Sequence, residues 1–136
     1  MKKEESLGKV NYQLIEIKVL HEIKEANIKV HYMEYKGYWP VANRDFVNVA
    51  IGLEETMDKV YIGTKASDYP CPEKKGVVRG EVFIGAYIIE RVDEKQTRIT
   101  YISDVDLKGS IPNFLKNGLS HLQGDIAYKV EEIMKK

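Results

Sequence analysis

The chain has 136 residues, the length of one domain, and 43% of them are hydrophobic while 31% are charged. Lysine plus arginine equals aspartate plus glutamate at 21 each, so no net positive charge favours nucleic acid as a partner. The single cysteine, Cys71, excludes an intrachain disulfide and suits a reducing compartment. No apolar signal segment opens the chain, and no apolar run approaches the roughly 20 residues of a membrane span. We therefore expect one cytoplasmic domain over residues 1–136.

Alternating apolar side chains predict six β-strands in the first part of the chain. The predicted strands are Tyr12–Leu20, Ile28–Tyr35, Phe46–Leu53, Val60–Ala66, Val77–Val92 and Arg98–Val105. Short polar or breaker-rich segments separate them, and Gly80 and Gly85 mark bends or bulges within the fifth strand. Parallel neighbours need crossovers of about a dozen residues, for which there is no room, so the strands are predicted to form an antiparallel meander.

The apolar period changes at Ile111. From there to Ile133, apolar residues recur at steps of three and four, which predicts one amphipathic α-helix. Ser110 suits the N-cap of this helix, and Pro112 is tolerated in its first turn. A helix with one apolar stripe must pack against one face of the sheet, so the predicted fold class is α+β.

No pattern in the sequence predicts catalysis, a metal site or a cofactor. Cys71 lies between two prolines without a neighbouring base, which indicates a structural cysteine. The chain has no second cysteine, and its three histidines are not paired at a metal-binding spacing. His31 is a candidate acid or base, but a lone strand histidine is more often simply hydrogen-bonded. The chain is therefore predicted not to be an enzyme.

Two pairs of charged residues have predicted structural roles. Arg44 and Asp45 are neighbours in a strand, so their side chains point to opposite faces and should pair with different partners. Arg79 and Glu81 are two residues apart and can share a face, which predicts a surface ion pair of little energetic value.

Three segments resemble a known family. They are Trp39–Val47 (WPVANRDFV), Cys71–Val82, which contains the run KGVVRGEV, and Thr100–Pro112, which contains DLKGSIP. Their order and spacing are similar to the START (StAR-related lipid-transfer) family across nearly the whole chain from Tyr12. The resemblance implies a helix-grip fold, in which a curved antiparallel sheet of about six strands wraps a long C-terminal α-helix and one lipid lies between them. The predicted strands correspond to the fourth to ninth of that family sheet, and the family's N-terminal strands and helices have no counterpart.

The resemblance also implies a binding site. Lipid contacts are expected from the sheet and from the helix, at His31, Met33, Asn48, Ala50, Tyr61, Val82, Tyr101, Leu119, Gln123 and Ala127. Many family members carry a buried acid–arginine pair, whose positions are occupied here by His31 and Ala50, so that ion pair cannot form. Tyr38 and Trp39 are expected to form a lid that touches membrane or ligand, the alternative being a Trp39 ring that plugs the end of the core.

The resemblance thus predicts a non-enzymatic lipid carrier or sensor in transient contact with membranes, with a phospholipid favoured over a sterol. One alternative is a protein-interaction module built from a truncated sheet, and another is a small helix-grip enzyme of the cyclase type. The strand Arg98–Val105 would have no neighbour on its far side and contains no proline. Because such an edge invites pairing with another chain, a homodimer or higher oligomer is expected through it.

Overall fold

The computed structural model describes residues 13–116, which form one sheet of seven strands. The strands are β1 (Leu14–Ile23), β2 (Ile28–Tyr35), β3 (Arg44–Thr56), β4 (Lys59–Ala66), β5 (Val78–Arg79), β6 (Glu81–Arg91) and β7 (Thr97–Asp106). A short 3-10 helix, Lys24–Ala26, joins β1 to β2. The spatial order is β1-β2-β3-β4-β6-β7, and every pair along it is antiparallel, which confirms the predicted meander.

The segment predicted as one strand over Val77–Val92 is instead two strands separated by Gly80. The short β5 pairs in parallel with the start of β3, and β6 then turns away to pair with β4. The ring of Phe46 lies against Gly80 so closely that a Cβ there would overlap it. The bend predicted at Gly80 is confirmed, whereas the ladder irregularity of β6 lies between Val82 and Ile84 rather than at Gly85.

The first strand is more exposed than its alternating pattern predicts. The alternation in Tyr12–Leu20 predicts a half-buried strand with Ile15 and Val19 on one side, but these two residues are 54% and 51% exposed. Among the described residues β1 has a neighbour on one side only, and its ladder with β2 is irregular at two places. As an edge strand it is covered by a neighbouring strand on one side alone, which agrees with this exposure.

The sheet is curved, as the resemblance implies. In a flat sheet β2 and β7 would lie four strand spacings apart, or about 19 Å. Nevertheless, the phenol groups of Tyr101 in β7 and Tyr87 in β6 lie close enough to Tyr35 in β2 to interact with it electrostatically. Burial raises the pKa of Tyr35, and those two groups raise it further. The strands therefore bend toward the side that carries these three tyrosines, which we call the inner face.

The opposite side, the outer face, is covered near β2 and β3. Val30, Tyr32 and Val47 are buried there, and Cys71 from the loop between β4 and β5 packs against them. The thiol thus fills space beside apolar side chains, in keeping with the predicted structural role of Cys71.

Residues 113–116 begin a helix. The rest of the helix predicted from Ile111 to Ile133, with Leu119, Gln123 and Ala127, lies outside the described residues. The packing of this helix against the sheet stays a prediction. Within residues 13–116, no helix has the length and apolarity needed to cross a membrane.

Candidate functional site

Strand pairing determines which side chains share the inner face. Directly paired residues of antiparallel strands lie on one face, and residues two apart in a strand share it. His31 pairs with Asn48, which pairs with Ala66, and Val82 pairs with Val105. The predicted sites His31, Met33, Asn48, Ala50, Val82 and Tyr101 consequently all lie on the inner face, together with Tyr35, Phe46, Thr64, Ala66, Tyr87 and Ser103.

Tyr61 is the predicted sheet residue that does not join this group. It pairs with Leu53 of β3 and Ile88 of β6, which places it on the outer face, and its hydroxyl donates to Glu55 Oε2 at 3.0 Å. The prediction that Tyr61 faces the helix is therefore wrong. The alternation of side chains in β4 is shifted by one residue from the predicted alternation. Such a shift moves each side chain to the opposite face of the sheet.

Aromatic and aliphatic side chains form most of the inner face. The rings of Tyr87 and Tyr101 lie 4.8 Å apart between centroids, and Tyr35 meets Phe46 edge-on at 5.8 Å. The Tyr35 hydroxyl lies 3.4 Å from the sulfur of Met33. Sequence reasoning missed Tyr35, Phe46 and Tyr87, although the first two lie two residues from the predicted Met33 and Asn48. Such a surface, apolar with few polar groups, is typical of sites for small apolar molecules.

The phenols of Tyr35 and Tyr87 on the inner face are neutral near pH 7. Burial raises the pKa of Tyr87 to about 12, and the charge of a deprotonated Tyr101 would raise it further. Burial likewise raises the pKa of Tyr35. Phenols in this state donate hydrogen bonds and are poor general bases at neutral pH.

Asn48 is the buried polar residue at the middle of this face. The residue is 7% exposed, and its Oδ1 accepts no hydrogen bond from the part of the chain that the structure describes. His31 lies directly across the strand pair but is not bonded to this oxygen. A buried amide oxygen without a donor is rare in folded proteins and calls for an explanation.

An ion pair fixes the loop between β4 and β5 from the outer side of the sheet. Asp45, 1% exposed, accepts hydrogen bonds from Arg79 Nε at 2.6 Å and Nη2 at 3.2 Å. Arg79 also donates to the carbonyl of Cys71 at 3.2 Å. The predicted surface pair of Arg79 with Glu81 is wrong, since Glu81 instead pairs with Lys108 at 3.0 Å. The parallel pairing of β5 brings Arg79 opposite Asp45, a contact that local spacing does not reveal.

Arg44, by contrast, has no carboxylate partner within residues 13–116. Its guanidinium donates to the carbonyl oxygens of Leu107 at 2.7 Å, Lys108 at 2.9 Å and Ala42 at 2.6 Å. Burial lowers its pKa. The prediction that Arg44 and Asp45 have different partners is confirmed. Arg44 holds the segment that leads from β7 to the helix against the start of β3.

The loop between β2 and β3 projects its aromatic residues into solvent. Trp39 is 93% exposed and Tyr38 is 45% exposed. Asn43 Oδ1 accepts the Gly37 N–H at 3.0 Å, which closes the base of the loop. The alternative in which the Trp39 ring plugs the core is wrong, because the ring is almost fully exposed.

The fold belongs to a class seen in lipid-transfer proteins. The crystal structure of human STARD10 matches with a TM-score of 0.82 at 26% identity, over 93% of this chain and 52% of that one. Human StAR-related lipid transfer protein 5 matches with a TM-score of 0.78 over 94% of this chain and 65% of that one, and at 16% identity this shows similarity of fold.

The family model of the START domain matches residues 1–134, and the chain belongs to that family. The mitochondrial steroidogenic acute regulatory protein of Salvelinus fontinalis is 30% identical over 136 residues, which cover 96% of this chain and 47% of that protein. START domain-containing protein 10 of Homo sapiens is 28% identical over 103 residues, covering 76% of this chain and 35% of that protein. This chain thus spans about half the length, or less, of these relatives.

Proposed function

We propose that this chain binds one lipid against the inner face of its sheet, as a carrier or sensor and not as an enzyme. The observation that carries the proposal is the inner face itself, where apolar and aromatic side chains from five strands surround the buried amide of Asn48. The START domain family supports it, because this is a family of lipid-transfer domains. The helix residues Leu119, Gln123 and Ala127 would contact the lipid from the opposite side.

The lipid class is a separate part of the proposal. Ala50 and His31 share the inner face, so the ion pair of many family members is replaced by a methyl group and an imidazole. Without that pair the face lacks one charged means of holding a sterol hydroxyl. We therefore favour a phospholipid over a sterol.

The neutral tyrosines Tyr35 and Tyr87, whose pKa values are raised, argue against an acid–base enzyme, since they are poorly suited to take up a proton at pH 7.

Native mass spectrometry of protein purified from cells tests the function directly. We expect a mass increment that matches one lipid per chain, released on denaturation and identified by fragmentation. An apo species in every preparation, together with failure to extract any lipid from vesicles, would contradict lipid binding and favour the interaction module.

Trp39 should report membrane contact. The indole is 93% exposed, so its emission in buffer should lie near that of indole in water, and docking to phospholipid vesicles should shift it to the blue. In a control variant, Trp39→Phe with Leu53→Trp, the reporter moves to the outer face and no shift is expected. Fixed emission of the unaltered chain, with vesicle binding shown by co-sedimentation, would rule out the lid role.

We also propose that β7 pairs with a second copy of the chain. Among the described residues β7 pairs with β6 alone, and its Ile102 side chain is 43% exposed. A strand at the edge of a sheet invites pairing with another chain. Light scattering at micromolar concentration should give the mass of a dimer or larger species. Thr100→Lys places a charge on the same strand and should shift the mass toward the monomer. A monomeric mass for the unaltered chain would show that β7 does not pair with a second copy, and would contradict the proposal.

A further inference from the structure

The amide of Asn48 is buried, and no atom of the described residues 13–116 satisfies its oxygen. Asn48 lies in β3, with strands on both sides, and its Oδ1 has no hydrogen-bond partner among those residues. Leaving a buried amide oxygen unpaired costs free energy, and proteins rarely do so without a reason. A partner that arrives with the ligand is one such reason.

No neighbouring side chain among the described residues donates to this oxygen, and that includes His31 across the strand pair. Ala66 lies beside Asn48 in the next strand, and Ala50 and Phe46 flank it along β3, so none of the three offers a polar side-chain group. Thr64 shares the face, but its hydroxyl donates to the backbone carbonyl of Val49 at 3.0 Å.

We infer that Asn48 determines specificity, with its side-chain amide hydrogen-bonding a hydroxyl group of the bound lipid. The inference rests on the proposed function and narrows it to lipids that carry a free hydroxyl. Oδ1 needs a donor, and a hydroxyl both donates and accepts, so it satisfies the amide in either of its two orientations. A phosphatidylcholine headgroup has no O–H or N–H, and would leave the amide oxygen unpaired. A site built to bond a hydroxyl discriminates against the analogue that lacks it.

Matched lipid pairs test the inference on the full chain. Phosphatidylglycerol and phosphatidylpropanol carry the same charge and differ in the headgroup hydroxyls, while cholesterol and its methyl ether differ in one capped hydroxyl. Each is offered in phosphatidylcholine vesicles, and lipid recovered with the protein is quantified by mass spectrometry. In the pair that is extracted, we expect the hydroxyl-bearing member to be preferred by about tenfold or more.

Asn48→Leu removes the amide at similar size and should abolish this preference while extraction continues. Asn48→Ala should do the same and serves if the leucine variant fails to fold. Thr100→Leu is the matched control, because Thr100 pairs with Ile88 on the outer face and its loss should leave the preference unchanged. Extraction without a preference, or a preference that survives in the folded Asn48 variants, would overturn the inference. Failure to extract any of the lipids offered, phosphatidylcholine included, would instead count against lipid binding itself.

Discussion

Ala50→Trp is expected to block lipid binding while the sheet still folds. Ala50 lies on the inner face between Lys29 and Thr64, one alternation from Asn48, so an indole there would occupy the space proposed for the lipid. Overfilling a packed space costs about 1–3 kcal/mol, which as lost binding free energy weakens affinity by roughly 5- to 150-fold.

Vesicle extraction followed by mass spectrometry measures the effect, and circular dichroism checks the fold. Leu53→Trp is the matched control, because it adds an indole on the outer face, where Leu53 is 55% exposed. That variant should extract lipid as the unaltered chain does. Normal extraction by a folded Ala50→Trp variant would show that the lipid does not lie against this part of the sheet.

Asp45→Asn should lower the free energy of unfolding by about 3 kcal/mol, because removing one member of a buried ion pair leaves the other charge without compensation. The Asp45 side chain is 1% exposed and that of Arg79 is 22% exposed, so solvent screens the pair little. The pKa of Arg79 is raised, chiefly by its hydrogen bond to Asp45, which agrees with a favourable interaction.

Urea unfolding followed by far-ultraviolet circular dichroism measures this change. The exposed pair of Lys108 and Glu81 provides the comparison, since Glu81→Gln should change the free energy of unfolding by less than about 1 kcal/mol. The double variant Asp45→Asn with Arg79→Met should lose less than the sum of the two single changes. Equal effects of Asp45→Asn and Glu81→Gln would contradict a structural role for the buried pair.

The segments that carry the family resemblance are those that meet in space. Arg44 bonds to Leu107 and Lys108, and Asp45 bonds to Arg79, which also reaches the carbonyl of Cys71. All three segments quoted from the sequence are therefore joined through two consecutive residues of β3. The segments that resemble the family are thus also the segments that hold one another in place, because Arg44 and Asp45 each bond to partners in the other two.

The strand order could be predicted because alternation and short connections leave few topologies. The face of the sheet on which each β4 side chain lies could not be predicted. The sequence around Tyr61 is Val60-Tyr61-Ile62-Gly63, with β-forming side chains on both faces, so alternation does not say which face is inner. The break at Gly80 lies where the ring of Phe46, 34 positions away, packs against the glycine. These features arise from distant contacts, which local patterns do not encode.

The three carbonyls that hold Arg44 belong to two different segments. Ala42 lies at the base of the loop that carries Trp39, while Leu107 and Lys108 lead toward the helix start at residue 113. Lifting either segment alone would strip a buried cation of some of its acceptors, at about 1–3 kcal/mol for each unmet group. Lifting both segments would remove all three acceptors and cost more still. Arg44 therefore ties the base of the Trp39 loop to the residues before the helix start, so a pull on either segment would be resisted by the contacts of both.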